Sequence, residues 1–210
     1  MLITAHGGAN GTGRNSKLYF DRIPEYKCDV LEVDVRKRGD RLYISHMPAM
    51  FPSKCLSLEY AFEKVKEHGM LVNCDMKEKG QTEDVLALAR RAGIEDKILF
   101  TGWVVSVEEA EKLSGGRVFF NKINGIPYKE GNAKKIKERL GENPRLAGIN
   151  AGKNLVSDKF LLECRDEGVA VSLYTLNSQK DIERYAGMGL YNLTCNNPTA
   201  VRDWLERGKA

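Results

Sequence analysis

Apolar residues along the chain gather into eight short runs, each separated from the next by amphipathic or polar stretches rich in turn residues. The runs are LITAH (2–6), VLEVDV (30–35), MLVNCDM (70–76), ILFTG (98–102), VFFNK (118–122), LAGIN (146–150), VAVSLYT (169–175) and YNLTC (191–195). Their shortness and β-branched content predict strands. Between them apolar residues recur at helical spacing, as at Leu58, Phe62 and Val65. Capping residues punctuate the pattern. Ser106 with Glu109 predicts a capping box, and Thr82 opens a helix that Gly93 closes. Ser157 opens a helix ending at Gly168, and Ser178 opens one ending at Gly187. Strands alternating with helices predict one small α/β domain over residues 1–210, a parallel (β/α)8 TIM barrel. An open doubly wound sheet is the structural alternative.

One segment departs from the rhythm. After VLEVDV come RKRGDR and a second apolar run, LYIS, leading to His46. Gly39 and Asp40 between two apolar runs predict a hairpin-like extension that returns His46 over the barrel mouth.

Composition narrows the function. The 210 residues, 42% hydrophobic and 30% charged, suit one globular core. The net charge is +4, but the basic residues are scattered, so nucleic acid is not an expected partner. No apolar run is long enough to cross a bilayer, and MLITAH reads as a strand rather than a leader. Neither stable membrane insertion nor an obligate protein partner is expected. Five cysteines, Cys28, Cys55, Cys74, Cys164 and Cys195, include no CxxC pair. They read as free thiols in a reducing, cytoplasmic setting, and no histidine is spaced with them as a zinc ligand.

In VLEVDV, Leu31, Val33 and Val35 face one way, and Glu32 and Asp34 the other. On an isolated strand, polar residues facing water would explain the pattern. In a barrel both faces are covered, and two inward carboxylates would repel one another without a cation. Oxygen ligands suit Mg²⁺ or Ca²⁺. The next strand repeats the spacing with Asn73, Asp75 and Lys77, so Asp75 is a third ligand candidate and Lys77 an anion-binding candidate. The alternative for Lys77 is membership of the charged loop Lys77-Glu78-Lys79. His6, at a strand end before Gly7-Gly8, is an acid–base candidate, as is His46; either would otherwise be a hydrogen-bonded structural histidine. His68, at the end of KVKEHG, reads as a helix-terminal cap.

Taken together, these motifs resemble the glycerophosphodiester phosphodiesterase family from the first strand to the last. They are Ala5-His6-Gly7-Gly8, Arg14-Asn15-Ser16, Glu32-Val33-Asp34-Val35 and Ser45-His46-Met47, then Asn73-Cys74-Asp75-Met76-Lys77, Tyr174-Thr175-Leu176-Asn177 and Cys195-Asn196-Asn197-Pro198. The resemblance implies one divalent cation on Glu32, Asp34 and Asp75, and His6 and His46 as the acid–base pair, with His6 favoured as base. It implies phosphate binding by Lys77 and a pocket lined by Tyr174, where the family usually has Trp. Gly7 stands where the family has Arg, Arg14 where it has Glu, Asp75 where it has Glu, and Cys195-Asn196 where it has Thr-Asp. Arg14, on the same first loop as Gly7, is expected to supply part of the missing phosphate contact.

The implied activity is metal-dependent hydrolysis of glycerophosphodiesters to glycerol phosphate and an alcohol, within lipid and glycerol metabolism. One alternative is a non-catalytic barrel that binds a phosphorylated ligand. The other is a different phosphodiester or phospholipid, as in the sphingomyelinase D-like and phosphatidylinositol-specific phospholipase C barrels. Those would be expected to carry an apolar docking loop; Met47–Pro52 is the candidate, and it reads more readily as a pocket wall or loop packing.

Overall fold

A computed structural model describes residues 1–207. Among the described residues nine strands form one sheet: β1 (Leu2–Ala5), β2 (Val30–Arg38), β3 (Arg41–Ile44), β4 (Leu71–Met76), β5 (Ile98–Thr101), β6 (Arg117–Phe120), β7 (Leu146–Gly152), β8 (Ala170–Tyr174) and β9 (Asn192–Cys195). All but β3 run parallel, in the order β1-β9-β8-β7-β6-β5-β4-β2, and β1 pairs with β2 to close the ring. Closure excludes the open sheet. The helices are α1 (Lys17–Asp21), α2 (Leu58–Glu67), α3 (Thr82–Ala92), α4 (Val107–Ala110), α5 (Ala133–Leu140), α6 (Asp158–Asp166), α7 (Gln179–Tyr185) and α8 (Pro198–Arg207). Among the described residues, no helix is long and apolar enough to cross a membrane.

The ninth strand is the expected extension. β3 turns back antiparallel on the far half of β2, pairing Val35 with Ile44 and Arg38 with Arg41. The barrel strand β2 therefore continues past the mouth, and the hairpin delivers His46 there.

Side chains outside the barrel pack against the helices in a continuous core that includes Leu31, Val33 and Val35. Leu58, Phe62 and Val65 of α2 are fully buried in it, each contributing roughly 1.5–3 kcal/mol. Inside the barrel, Val30, Leu99 and Phe119 fill the N-terminal end. Above them the interior becomes polar: Glu32, Asp34, Asn73, Thr101 and Thr194 are all buried and line the mouth. A (β/α)8 barrel is normally packed through its interior by branched apolar chains. A buried polar upper half marks the C-terminal mouth as the working end.

One cap and one stop differ from expectation. Ser106 accepts from the Glu109 amide, but the Glu109 carboxylate accepts from Thr82 Oγ1 (2.6 Å), so a tie between α3 and α4 replaces the capping box. α3 begins at Thr82 and is closed by a left-handed Gly93, as expected, and Gln81 precedes it at the cap position without a side-chain bond. α7 does begin with a capping box from Ser178 and Asp181, but a short 3-10 turn carries it past Gly187 to a left-handed Gly189. All five cysteines are free, and Cys74, Cys164 and Cys195 are buried.

Candidate metal centre and active-site cavity

Parallel register sets the acids side by side. Glu32 pairs with Asn73 and Asp34 with Asp75, so side chains of β2 and β4 enter the mouth at matching heights. One oxygen from each of Glu32, Asp34 and Asp75 lies within 4.8 Å of the others. Glu32 and Asp34 are buried, and Asp75 is partly exposed.

Each carboxylate is held by neighbours. The Gly7 amide donates to Glu32 Oε2 at 2.5 Å. A Cβ at position 7 would stand 2.9 Å from that oxygen, so glycine permits the approach. Asn15 Nδ2 donates to Asp34 Oδ2 (2.7 Å), while the Asp34 amide donates to Asn15 Oδ1 (3.2 Å). Thr101 Oγ1 lies 3.4 Å from Asp75 Oδ1. Lys77 Nζ is 2.7 Å from Asp34 Oδ1 and also bonds Asp75. Tyr19, buried beneath the site, donates its hydroxyl hydrogen to the Ala5 carbonyl (2.8 Å) and accepts from the Glu32 amide (3.3 Å). It thus ties β1 to β2 where they part.

Three acids packed together cannot share one ionisation behaviour. Burial, then the charges of Asp34 and Asp75, push the Glu32 carboxyl well above its usual range. Burial works the same way on Asp34, but the ammonium of Lys77 with the bonds from Asn15 and His46 brings it below the usual value. Lys77 itself is raised: burial opposes its charge, and Asp75 and Asp34 outweigh the burial. The donor set is three hard oxygen groups with excess negative charge, which fits Mg²⁺ or Ca²⁺.

The two histidines flank this cluster in strand order. His6 follows β1, and its Nδ1 lies 2.9 Å from Asn196 Oδ1, just beyond β9. His46 follows β3, and its Nδ1 lies 3.2 Å from Asp34 Oδ1. Arg36 donates to the His46 carbonyl (2.9 Å) and pairs with Glu78 (3.0 Å), fixing the end of the hairpin. Burial, followed by the positive charge of Arg14, lowers the His6 pKa against the pull of Asn196, Asp34 and Asp75.

His6, Glu32, Asp34, His46, Asp75, Lys77 and Tyr174 all line one cavity of about 340 Å³. Arg14 does not line it: it is exposed on the first loop and acts on His6 through its charge. Met47, Met50 and Phe51 do not line it either, and they are 67%, 79% and 58% exposed. The expected pocket wall is therefore an exposed apolar loop, because the hairpin ends at His46 and the chain beyond turns outward.

Five lining residues were not singled out from the sequence: Thr101, Trp103, Asn121, Asn150 and Thr194. Asn121 Oδ1 accepts from the Gly102 amide (2.8 Å) and from Asn150 Nδ2 (3.2 Å), while Asn121 Nδ2 donates to the Tyr174 hydroxyl (3.2 Å). A side chain at Gly102, which has φ of 124°, would collide with the Met76 carbonyl. Asn150 reaches the interior through a bulge. Val118 pairs with Leu146 but Phe119 with Gly148, leaving Ala147 extra. The bulge reverses the alternation, so Ile149 packs outward and Asn150 lines the cavity. The available signal was an asparagine ending two apolar runs, VFFN and AGIN.

No family model matches the sequence, and no curated protein does. Solved structures do. A glycerophosphodiester phosphodiesterase from Parabacteroides distasonis superposes with a TM-score of 0.76 at 14% identity, covering 100% of this chain and 98% of that one. An Oleispira antarctica phosphodiesterase, solved with its product sn-glycerol-3-phosphate, gives 0.77 at 14% identity over 98% of this chain and 97% of that one. A glycerophosphodiester phosphodiesterase from Agrobacterium tumefaciens gives 0.69 at 17% identity over 97% and 99%. At such identities the likeness establishes the shared barrel.

Proposed function

We propose that this chain is a divergent glycerophosphodiester phosphodiesterase, a metal-dependent hydrolase releasing glycerol phosphate and an alcohol. The observation that carries the reading is the convergence of three carboxylates, two histidines and a lysine in one cavity at the mouth of a barrel. The fold is that of proteins described as glycerophosphodiester phosphodiesterases, one of them solved with glycerol phosphate bound.

Glu32, Asp34 and Asp75 would hold the cation, whose chemistry is to neutralise charge on a phosphate oxygen and lower the pKa of a nucleophile. Lys77 competes for the same carboxylates; once displaced, its ammonium meets a phosphate oxygen. His6 is suited to be the base. With Nδ1–H donated to Asn196, its other nitrogen carries a lone pair, and its lowered pKa keeps the ring neutral near pH 7. Its role is to take the proton of a substrate hydroxyl as that oxygen bonds to phosphorus. His46 protonates the departing alkoxide as the old P–O bond breaks. The resulting cyclic phosphate is opened by water with the two roles exchanged.

The test is a panel of glycerophosphodiesters assayed as prepared, with EDTA, and with Mg²⁺ or Ca²⁺ restored. Expected is release of glycerol phosphate, abolished by chelation and recovered with one of the ions. Full activity in EDTA would remove the metal from the mechanism. The salt bridges of Lys77 across Asp34 and Asp75 favour a second reading, a barrel that binds phosphate without turnover. Binding of glycerol phosphate by calorimetry, with no hydrolysis of any diester, would select it.

Arg14 offers a smaller test. Its guanidinium lies outside the cavity in this structure, so a two-oxygen grip on phosphate requires the glycine-rich first loop to bring it inward. Arg14→Ala is expected to lower kcat/KM by about 10-fold. Because Arg14 depresses His6, its loss raises the pKa of the base, and the acidic limb of the pH–rate profile moves to higher pH. An unchanged rate and profile would make Arg14 a solvated loop residue.

A further inference from the structure

A second cavity of about 550 Å³ opens beside the catalytic one and shares Trp103, Asn121, Asn150 and Tyr174 with it. Past this shared wall the lining changes character. Ile126, Pro127, Tyr128, Leu155 and Val156 replace the acids and histidines, and the exposed Lys122 is the one charged residue of the lining. Leu155 is 68% exposed and Trp103 54% exposed, and both face this cavity. Gly152, at the end of β7, keeps the passage open. Its φ is not in the left-handed region, so its backbone does not demand glycine. A Cβ there would stand 3.3 Å from Leu155 Cδ1 and 3.7 Å from the Tyr174 ring, between the two walls. A glycine inside a strand weakens it and marks a close approach.

We propose that this cavity is a subsite for an apolar arm of the substrate, so that the diester carries a hydrocarbon chain rather than two small polar alcohols. This rests on the phosphodiesterase reading above, which places the phosphate among His6, Lys77 and the carboxylates. The asparagine strip then lies under the atoms next to phosphorus, and the arm continues over Gly152 to Leu155 and Ile126. Glycerol, choline or ethanolamine would leave most of the apolar cavity unfilled. A glycerophosphodiester retaining one acyl chain fills it, as does a glycerol phosphodiester of a long-chain alcohol.

The experiment compares glycerophosphocholine, its monooctanoyl ester and glycerophospho-octanol, all below their micellar concentrations. Each buried methylene is worth roughly fourfold, so at least one octyl compound is expected to exceed glycerophosphocholine in kcat/KM by about 10-fold or more. Which one does so identifies the arm that carries the chain. Leu155→Asp, at an exposed position with little bearing on folding, and Gly152→Val are each expected to bring that ratio close to one. Hydrolysis of all three at similar rates, or a preference for glycerophosphocholine, would overturn the subsite and leave the phosphodiesterase standing. If nothing is hydrolysed, the phosphodiesterase reading fails, and the subsite is judged by titrating the same compounds with Mg²⁺ present. Trp103 fluorescence reports that binding, with Trp103→Phe as the control. Binding of an octyl compound about 10-fold tighter than glycerophosphocholine, lost in Leu155→Asp, supports the subsite, and equal affinities reject it.

Discussion

Glu32→Gln is expected to lower phosphodiester hydrolysis by at least about 10³-fold, since a bound cation supplies several kcal/mol of charge stabilisation. The same substitution is expected to leave the metal-free protein at least as stable as the wild type near pH 7. The two effects have one origin. Glu32 is buried beside Asp34 and Asp75, which makes it a strong ligand with a cation and a strained anion without one. Its folded-state pKa lies above its unfolded value, so the folded protein binds more protons. Stability of the metal-free wild type therefore falls as pH rises from the ordinary glutamate range through the raised value. Glutamine retains the size and can still accept the Gly7 hydrogen bond, but it carries no charge. The measurements are steady-state hydrolysis with excess Mg²⁺ or Ca²⁺, and melting curves in EDTA from pH 4 to pH 8. Glu32→Gln should flatten the decline that the wild type shows across that range. Activity within tenfold of wild type would remove Glu32 from the metal centre. A melting temperature well below wild type at pH 7 would mean that its carboxylate stabilises the fold without metal.

The strands, their parallel order and the acidic cluster were legible because each follows from a local rule. Alternation along VLEVDV assigns Glu32 and Asp34 to one face, and a barrel puts the next parallel strand beside it with Asp75 level with Asp34. His46 was legible because Gly39-Asp40 announces a hairpin whose far strand ends near its origin. What escaped depends on events between distant elements. Asn150 enters the cavity only because Ala147 bulges, and nothing in LAGIN distinguishes that from regular alternation. The Glu109 carboxylate left its capping box for a hydroxyl 27 positions away. Lys77 was legible as facing the acids, but its salt bridges to both Asp34 and Asp75 are a property of side-chain reach rather than spacing. The second cavity has no sequence pattern, since Trp103, Ile126 and Leu155 come from three separate loops.

His6→Ala and His46→Ala are each expected to lower turnover by roughly 10²–10⁴-fold, the usual contribution of one positioned proton carrier. Their distinct surroundings predict that the two losses respond differently to the leaving group. His6 hydrogen-bonds a neutral amide oxygen, and burial with the charge of Arg14 holds its ring neutral, as a base requires. His46 is held by the Asp34 carboxylate at Nδ1 and by Arg36 on its own carbonyl, which fixes the ring at the mouth. A p-nitrophenyl diester needs no proton on its departing oxygen. With that substrate His46→Ala should regain most of its lost rate, while His6→Ala should stay impaired, because deprotonation of the nucleophile is still required. Both variants should melt close to wild type, as neither ring belongs to the apolar core. Recovery by His6→Ala instead would exchange the two roles. Near-wild-type turnover by both variants on the unactivated diester would exclude the pair, and the proton transfers would then have to be assigned to other groups lining the cavity.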